Sequence, residues 1–179
     1  MDSRQSRGTT TDWIVGQMAE YPIFAGVETH YLERLARGSR VENFRAGDVV
    51  IEEGAWDEDL FFLLSGRVKV VKAGEEVCTL EGKGDLFGEM RVIDGQARSA
   101  TVIAVDDVAC QVLDVACMDR LSLDERTLLG SILYRRFAEL LASRLRQADE
   151  ELARLRAKNL YMKQRLKNLV GTGIGNKRK

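Results

Sequence analysis

Leu60-Phe-Phe-Leu-Leu-Ser-Gly-Arg-Val-Lys-Val-Val-Lys72 holds two short runs, LFFLLS and VKVVK, rich in β-branched and aromatic residues and parted by the turn signal Ser65-Gly66. The same texture extends outward in both directions. VENF (41–44) and VVIEE (49–53) precede it, and EVCTL (76–80), SATVIAV (99–105) and VACQVLDV (108–115) follow. Between them lie Ala46-Gly47-Asp48, Glu53-Gly54, Ala73-Gly74 and Gly82-Lys-Gly84, all turn signals. Strands this close together predict an antiparallel sandwich or barrel, because βαβ units need a helix between successive strands. Helical patterns flank the strands. Residues 11–38 read as two pieces around the single Pro22, the first capped by Asp12 and the second ended by Gly38. From Leu121 a helical pattern runs for nearly fifty residues.

The chain has 179 residues, 45% of them hydrophobic and 31% charged, enough for one domain and an appendage. No window approaches the roughly 18 consecutive apolar residues of a membrane-spanning helix. The N-terminal MDSRQSRGTTTDW lacks the apolar core of a secretory signal, so a cytoplasmic protein is expected. Cys78, Cys110 and Cys117 are odd in number and contain no CxxC pair, which argues for reduced, mostly buried thiols rather than a disulfide framework or a zinc site. The net charge of −1 averages two opposite regions. Residues 1–151 carry 18 Lys/Arg against 28 Asp/Glu, whereas residues 152–179 carry nine Lys/Arg and no acid. The two regions therefore do different work.

The chemistry concentrates in Gly84-Asp-Leu-Phe-Gly-Glu-Met-Arg-Val-Ile-Asp-Gly-Gln-Ala-Arg-Ser-Ala-Thr-Val102. Gly88 lets the backbone approach an anion, and a helical turn beginning just after it would aim its first amides at a phosphate. Arg98, read at the start of a strand, supplies a positive fork for phosphate oxygens, with the Ser99 hydroxyl beside it. Glu89 next to a phosphate makes sense if it accepts a hydrogen bond from a ribose 2′-hydroxyl. A ribose phosphate satisfies both groups.

At Phe87-Gly88-Glu89 with Arg98-Ser99-Ala100 the chain resembles the cyclic-nucleotide-binding domain family, the β-roll of catabolite-activator-type regulators, protein kinase A regulatory subunits and nucleotide-gated channels. The blocks Phe44-x-x-Gly47-Asp48-x-Val50-x-x-Glu53-Gly54 and Phe61-Phe62-Leu63-Leu64-Ser65-Gly66-x-Val68 agree in order. The resemblance covers about residues 20–150. It implies a mainly β fold with helices, an antiparallel jelly-roll-like β-roll flanked by N-terminal helices and a long C-terminal dimerisation helix. It also implies a ligand, cyclic AMP or cyclic GMP, held by Phe87, Gly88, Glu89, Met90, Arg98, Ser99 and Ala100. Glu89 would hold the ribose and Arg98 the cyclic phosphate, with the amides of Gly88–Met90 and Ser99–Ala100 completing the cradle. Arg91 departs from the pattern, as a bulky charge where the family usually has a small residue.

The long helix has its own pattern. Leu145, Leu152, Asn159 and Leu166 fall at heptad position a, and Ala148, Leu155, Met162 and Leu169 at d, which predicts a two-stranded coiled coil. Asn159 at a favours a parallel, in-register homodimer. Across that pair Arg144 meets Asp149 and Glu151 meets Arg156, both attractive, while Lys158 meets Lys163 and repels it. The resemblance places the base-contacting lid of the catabolite-activator branch at Ala148 and Asp149, the latter a departure from the usual hydroxyl residue.

The expected division is an N-terminal extension and helix over 1–19 and a β-roll over 20–121. A helix over 122–170 follows, coiled from about 141, and then a basic disordered tail over 171–179. The chain leaves no room for a winged helix-turn-helix after Leu169, so the expectation is a ligand-sensing dimer that signals through the coil, the tail or a protein partner. No enzyme, metal or other cofactor is expected, since no Ser/His/Asp set, metal cluster or nucleotide-hydrolysing loop is present. The rival readings are a coiled-coil adaptor with a degenerate pocket and a nucleic-acid-binding regulator acting through the basic coil.

Overall fold

A computed structural model describes residues 5–173, with side-chain surroundings for 10–168. The chain divides into two compact units, one ending at Phe137 and the other beginning at Ala138. The first opens with α1 (Gln5–Glu20), a 3₁₀ turn at Pro22–Phe24 and α2 (Thr29–Ala36). Asp12 lies inside α1 and does not cap it, because the helix starts seven residues earlier at Gln5. Eight strands follow: β1 (Ser39–Phe44), β2 (Val49–Ile51), β3 (Asp59–Ser65), β4 (Val68–Lys72), β5 (Glu75–Leu80), β6 (Leu86–Phe87), β7 (Thr101–Ala104) and β8 (Val108–Asp114). A short α3 (Glu89–Asp94) sits between β6 and β7, and a 3₁₀ segment (Val115–Arg120) leads into α4 (Leu123–Gly173).

The strands form two four-stranded sheets, ordered β1-β8-β3-β6 and β2-β7-β4-β5, with every pairing antiparallel. Between them lies a core that includes Ile51, Phe61, Leu63, Val68, Phe87, Val102, Cys110 and Val112. The first sheet is covered on its other face too, which explains why LFFLL has no polar alternation. Phe61 and Leu63 enter the core between the sheets, whereas Phe62 stacks on Tyr21 at 5.2 Å and packs against Phe24. In β8, Cys110 and Val112 face the same core. Gln111, fully buried between them, accepts a hydrogen bond from the Tyr21 hydroxyl at 3.1 Å and donates to Ser39 Oγ. That pair satisfies a polar group that would otherwise cost on the order of 1–3 kcal/mol to bury.

Burial pushes the Cys110 thiol up to about 12 and the Cys117 thiol up to about 11, so neither is a nucleophile near neutral pH. Cys78 is exposed on β5. No helix among the described residues is long and apolar enough to cross a membrane. The first unit also contains the opening turns of α4, where Leu129, Leu133 and Phe137 are buried. In the second unit α4 continues with Leu145, Leu152, Leu155, Met162 and Leu166 all exposed. α4 runs to Gly173, three residues into the expected tail; the side chain of Leu169 and residues 174–179 lie outside the described residues.

Candidate functional site

The segment β6–α3 and the loop before β7 meet at Arg98. Arg98 is 3% exposed, and its guanidinium is held from three directions. Nη1 donates to the Gly88 carbonyl at 2.7 Å, Nη2 donates to the Asp59 carbonyl at 2.7 Å, and Nε and Nη2 both engage the Asp57 carboxylate. The backbone fastens the same region, since Gly54 N–H donates to the Arg98 carbonyl at 2.9 Å and Arg98 N–H donates to the Ala55 carbonyl at 2.8 Å. Arg98 precedes β7 by three residues, so it lies in a loop and not at a strand start. The β2–β3 loop holds it there.

Gly88 is required on two counts. Its φ of 86° is left-handed, and a Cβ built there would stand 2.7 Å from Arg98 Nη1 and 3.0 Å from the Asp59 carbonyl oxygen. The guanidinium thus takes the place a side chain would need. From Gly88 the chain enters α3, whose first residue, Glu89, is 3% exposed, and leaves it at Gly95, also left-handed. Met90 is exposed and accepts the Ser99 hydroxyl on its sulfur at 3.3 Å. Phe87 points the other way, its ring stacked on Phe61 at 5.2 Å in the roll core.

Asp57 is the residue that sequence reading missed. Burial works against its carboxylate, but the hydrogen bonds and charge of Arg98 outweigh that and hold the carboxyl below its ordinary range. Its only signal was membership of the acidic run Asp57-Glu58-Asp59, which does not say which acid reaches a residue 41 positions away.

Arg91 turns out to be a tether. Its guanidinium lies 4.8 Å from the Trp56 ring centroid, Nη2 pairs with Glu58 at 3.0 Å, and Nη1 donates to the carbonyls of Gly95 and Gln96. It therefore binds α3, at its C-terminal end, to the loop that also grips Arg98. Arg91→Ala is expected to destabilise the first unit by about 1–2 kcal/mol, the sum of a half-exposed ion pair, a cation–π contact and two hydrogen bonds. Urea unfolding measures this, and a change near zero would mean that the tether holds nothing.

Ala148 and Asp149 lie on α4 in the second unit. The remaining predicted ligand residues, Phe87 to Met90 and Arg98 to Ala100, are gathered in the first unit around the Gly88–Arg98 contact.

The profile of the cyclic nucleotide-binding domain matches residues 41–125. The cAMP-dependent protein kinase regulatory subunit of Debaryomyces hansenii is 31% identical over 104 residues, covering 58% of this chain and 23% of that protein. The cyclic AMP receptor protein of Thermus thermophilus is 31% identical over 135 residues, covering 73% of this chain and 60% of that one. The chain thus spans about a quarter of the kinase regulatory subunit and three fifths of the receptor protein. A solved cyclic nucleotide-binding domain from Methylobacillus flagellatus shares the fold, with a TM-score of 0.64 at 24% identity over 78% of this chain and 80% of that one. Residues 41–125 of this chain thus match the cyclic nucleotide-binding domain in profile, and the matched stretch carries two antiparallel sheets, a glycine-led short helix and a buried arginine.

Proposed function

We propose that this chain is a cytoplasmic receptor for a 3′,5′-cyclic nucleotide that signals ligand occupancy through a dimerising helix. The observation that carries the reading is the buried Arg98, seated against the Gly88 carbonyl at the entrance to α3 with buried Glu89 as its first residue. Arg98 neutralises the cyclic phosphate. Glu89 accepts from the ribose 2′-hydroxyl, and the amides of Gly88–Met90 and Ser99–Ala100 complete the cradle. The phosphate shares Arg98 with Asp57, so its arrival loosens the hold of the β2–β3 loop on the cassette. Both charged groups are assigned to binding, which makes this a binding module and not an enzyme.

The readout needs two arrangements with different affinities. A half-open groove of about 570 Å³ in the first unit, between Val92 of α3 and Leu123, Thr127 and Tyr134 of α4, leaves room for α3 to approach the opening turns of that helix. Further along α4, Ala148 and Asp149 are assigned to the base. The exposed Leu145, Leu152, Leu155, Met162 and Leu166 form the seam of a parallel homodimer with Asn159, and Leu169 extends it by sequence.

Calorimetric titration with cyclic AMP, cyclic GMP and linear 5′-AMP, after carried-over ligand is removed, tests the receptor. Micromolar or tighter binding of one cyclic nucleotide, with none of the linear one, is the expected result. Binding of none would replace the receptor by an adaptor whose roll is only a scaffold. Light scattering that finds a monomer with and without ligand would remove the dimer.

A further inference from the structure

From Arg154 to Lys167 the described part of α4 carries six basic side chains and no acidic one. Four of them, Arg156, Lys158, Lys163 and Arg165, occupy the e and g positions that flank the seam at Asn159, Met162 and Leu166. Such positions select the partner of a coiled coil. Nearer the start of the seam the selection favours self, because Arg144 meets Asp149 and Glu151 meets Arg156 in a parallel pair. At Lys158 and Lys163 it reverses, and two copies repel. The outer face of the helix also turns apolar there. Leu160 at b and Tyr161 at c are 61% and 58% exposed, and the Arg165 guanidinium lies 5.9 Å from the Tyr161 ring centroid. A helix that only had to pair with its own copy would gain nothing from a seam flanked by like charge.

We propose that α4 has two pairing halves: residues 144–156 hold two copies together, and residues 157–168, where Lys158 and Lys163 weaken self-pairing through Asn159, Met162 and Leu166, exchange it for an acidic amphipathic helix of another protein. The occupant has apolar a and d positions, with Glu or Asp at e and g opposite Lys158, Lys163 and Arg165. The first half is taken from the dimer proposed above; the second rests only on this helix and its charges, and is independent of the nucleotide site. Attraction to the right partner and repulsion from self act together, which is how charged flanking positions usually achieve discrimination.

The test uses the full chain and a synthetic helix of three heptads, with Leu at d, one Asn and otherwise Ile at a, and Glu at every e and g. Its twin has Lys at those positions, and a DNA duplex of about 20 base pairs forms the third arm, all at about 0.15 M salt so that unspecific charge effects are screened. The acidic peptide is expected to bind at least about tenfold more tightly than the lysine twin. Exchanging Lys158, Lys163 and Arg165 together for Glu should reverse that order, and Met162→Asp should remove binding of both. Separately, Lys158→Glu should tighten self-association by about tenfold, since it converts two repulsive contacts per dimer into attractive ones.

Equal binding of the two peptides, binding of neither, or binding that survives Met162→Asp would overturn the proposal. Tighter binding of the duplex than of the acidic peptide would overturn it in favour of nucleic acid. If the chain proves monomeric, the dimer reading fails, while the reversal of peptide preference still decides the docking half.

Discussion

Arg98→Ala is expected to weaken cyclic nucleotide binding by about 3–5 kcal/mol, roughly 10²- to 10³-fold or more, as a buried phosphate charge then loses its counter-ion. The magnitude follows from position as much as from charge. Arg98 is 3% exposed, and its three acceptors fix the direction in which the remaining donor surface points. The same substitution takes a donor from the Gly88 and Asp59 carbonyls and leaves the half-exposed Asp57 carboxylate to water, so about 1–3 kcal/mol of folding stability should go with it. Titration of Arg98→Lys separates the two effects. It keeps the charge but cannot span three acceptors, and should bind more weakly than the native chain and more tightly than the alanine variant. Native affinity in Arg98→Ala would remove Arg98 from the site.

Gly88→Ala should have the second large effect. A left-handed residue with a Cβ costs about 1–2 kcal/mol by itself, and here the new methyl group also meets Arg98 Nη1 at 2.7 Å and the Asp59 carbonyl at 3.0 Å. One of them must move. Since Arg98 is tied on three sides, the expected loss is about 2–4 kcal/mol of stability, with at least a tenfold loss of affinity. Gly74→Ala is the matched control. Its φ of 84° is nearly the same, but nothing lies within 4 Å of the added atom, so only the backbone strain should be felt. Similar unfolding midpoints for the two variants would show that the close approach at Gly88 is unimportant.

Much of the fold was legible in sequence because the strand runs announce themselves by β-branched residues and by glycines at the turns. β6 was not. It has two residues, Leu86 and Phe87, and becomes a strand only by pairing with Phe62 and Phe61, a contact that no local pattern encodes. The position of Arg98 was misjudged for a related reason. SATVIAV reads as a continuous strand, but the clamp between Arg98 and residues 54–55 holds the first part of it as a loop. In the site, Glu89 and Arg98 stood out through their spacing around Gly88. Asp57 and the role of Arg91 did not, since each acts through a partner that folding brings near from 33 or 41 positions away. A charge beside a phosphate site looks like an obstruction in one dimension; in three, Glu58 and Trp56 neutralise and cover it.

The double-faced burial of the β1-β8-β3-β6 sheet bears on what can be transplanted. The stretch by which the family is recognised, 41–125, contains Phe62 and Gln111 but not Tyr21 and Phe24, which cover the first and satisfy the second. A protein engineer grafting only that stretch into a new host would deliver a sensor with a greasy back wall and an unanswered amide. The smallest portable piece is therefore larger than the recognisable one: it starts before Ile14, which is itself buried, and runs through Phe137.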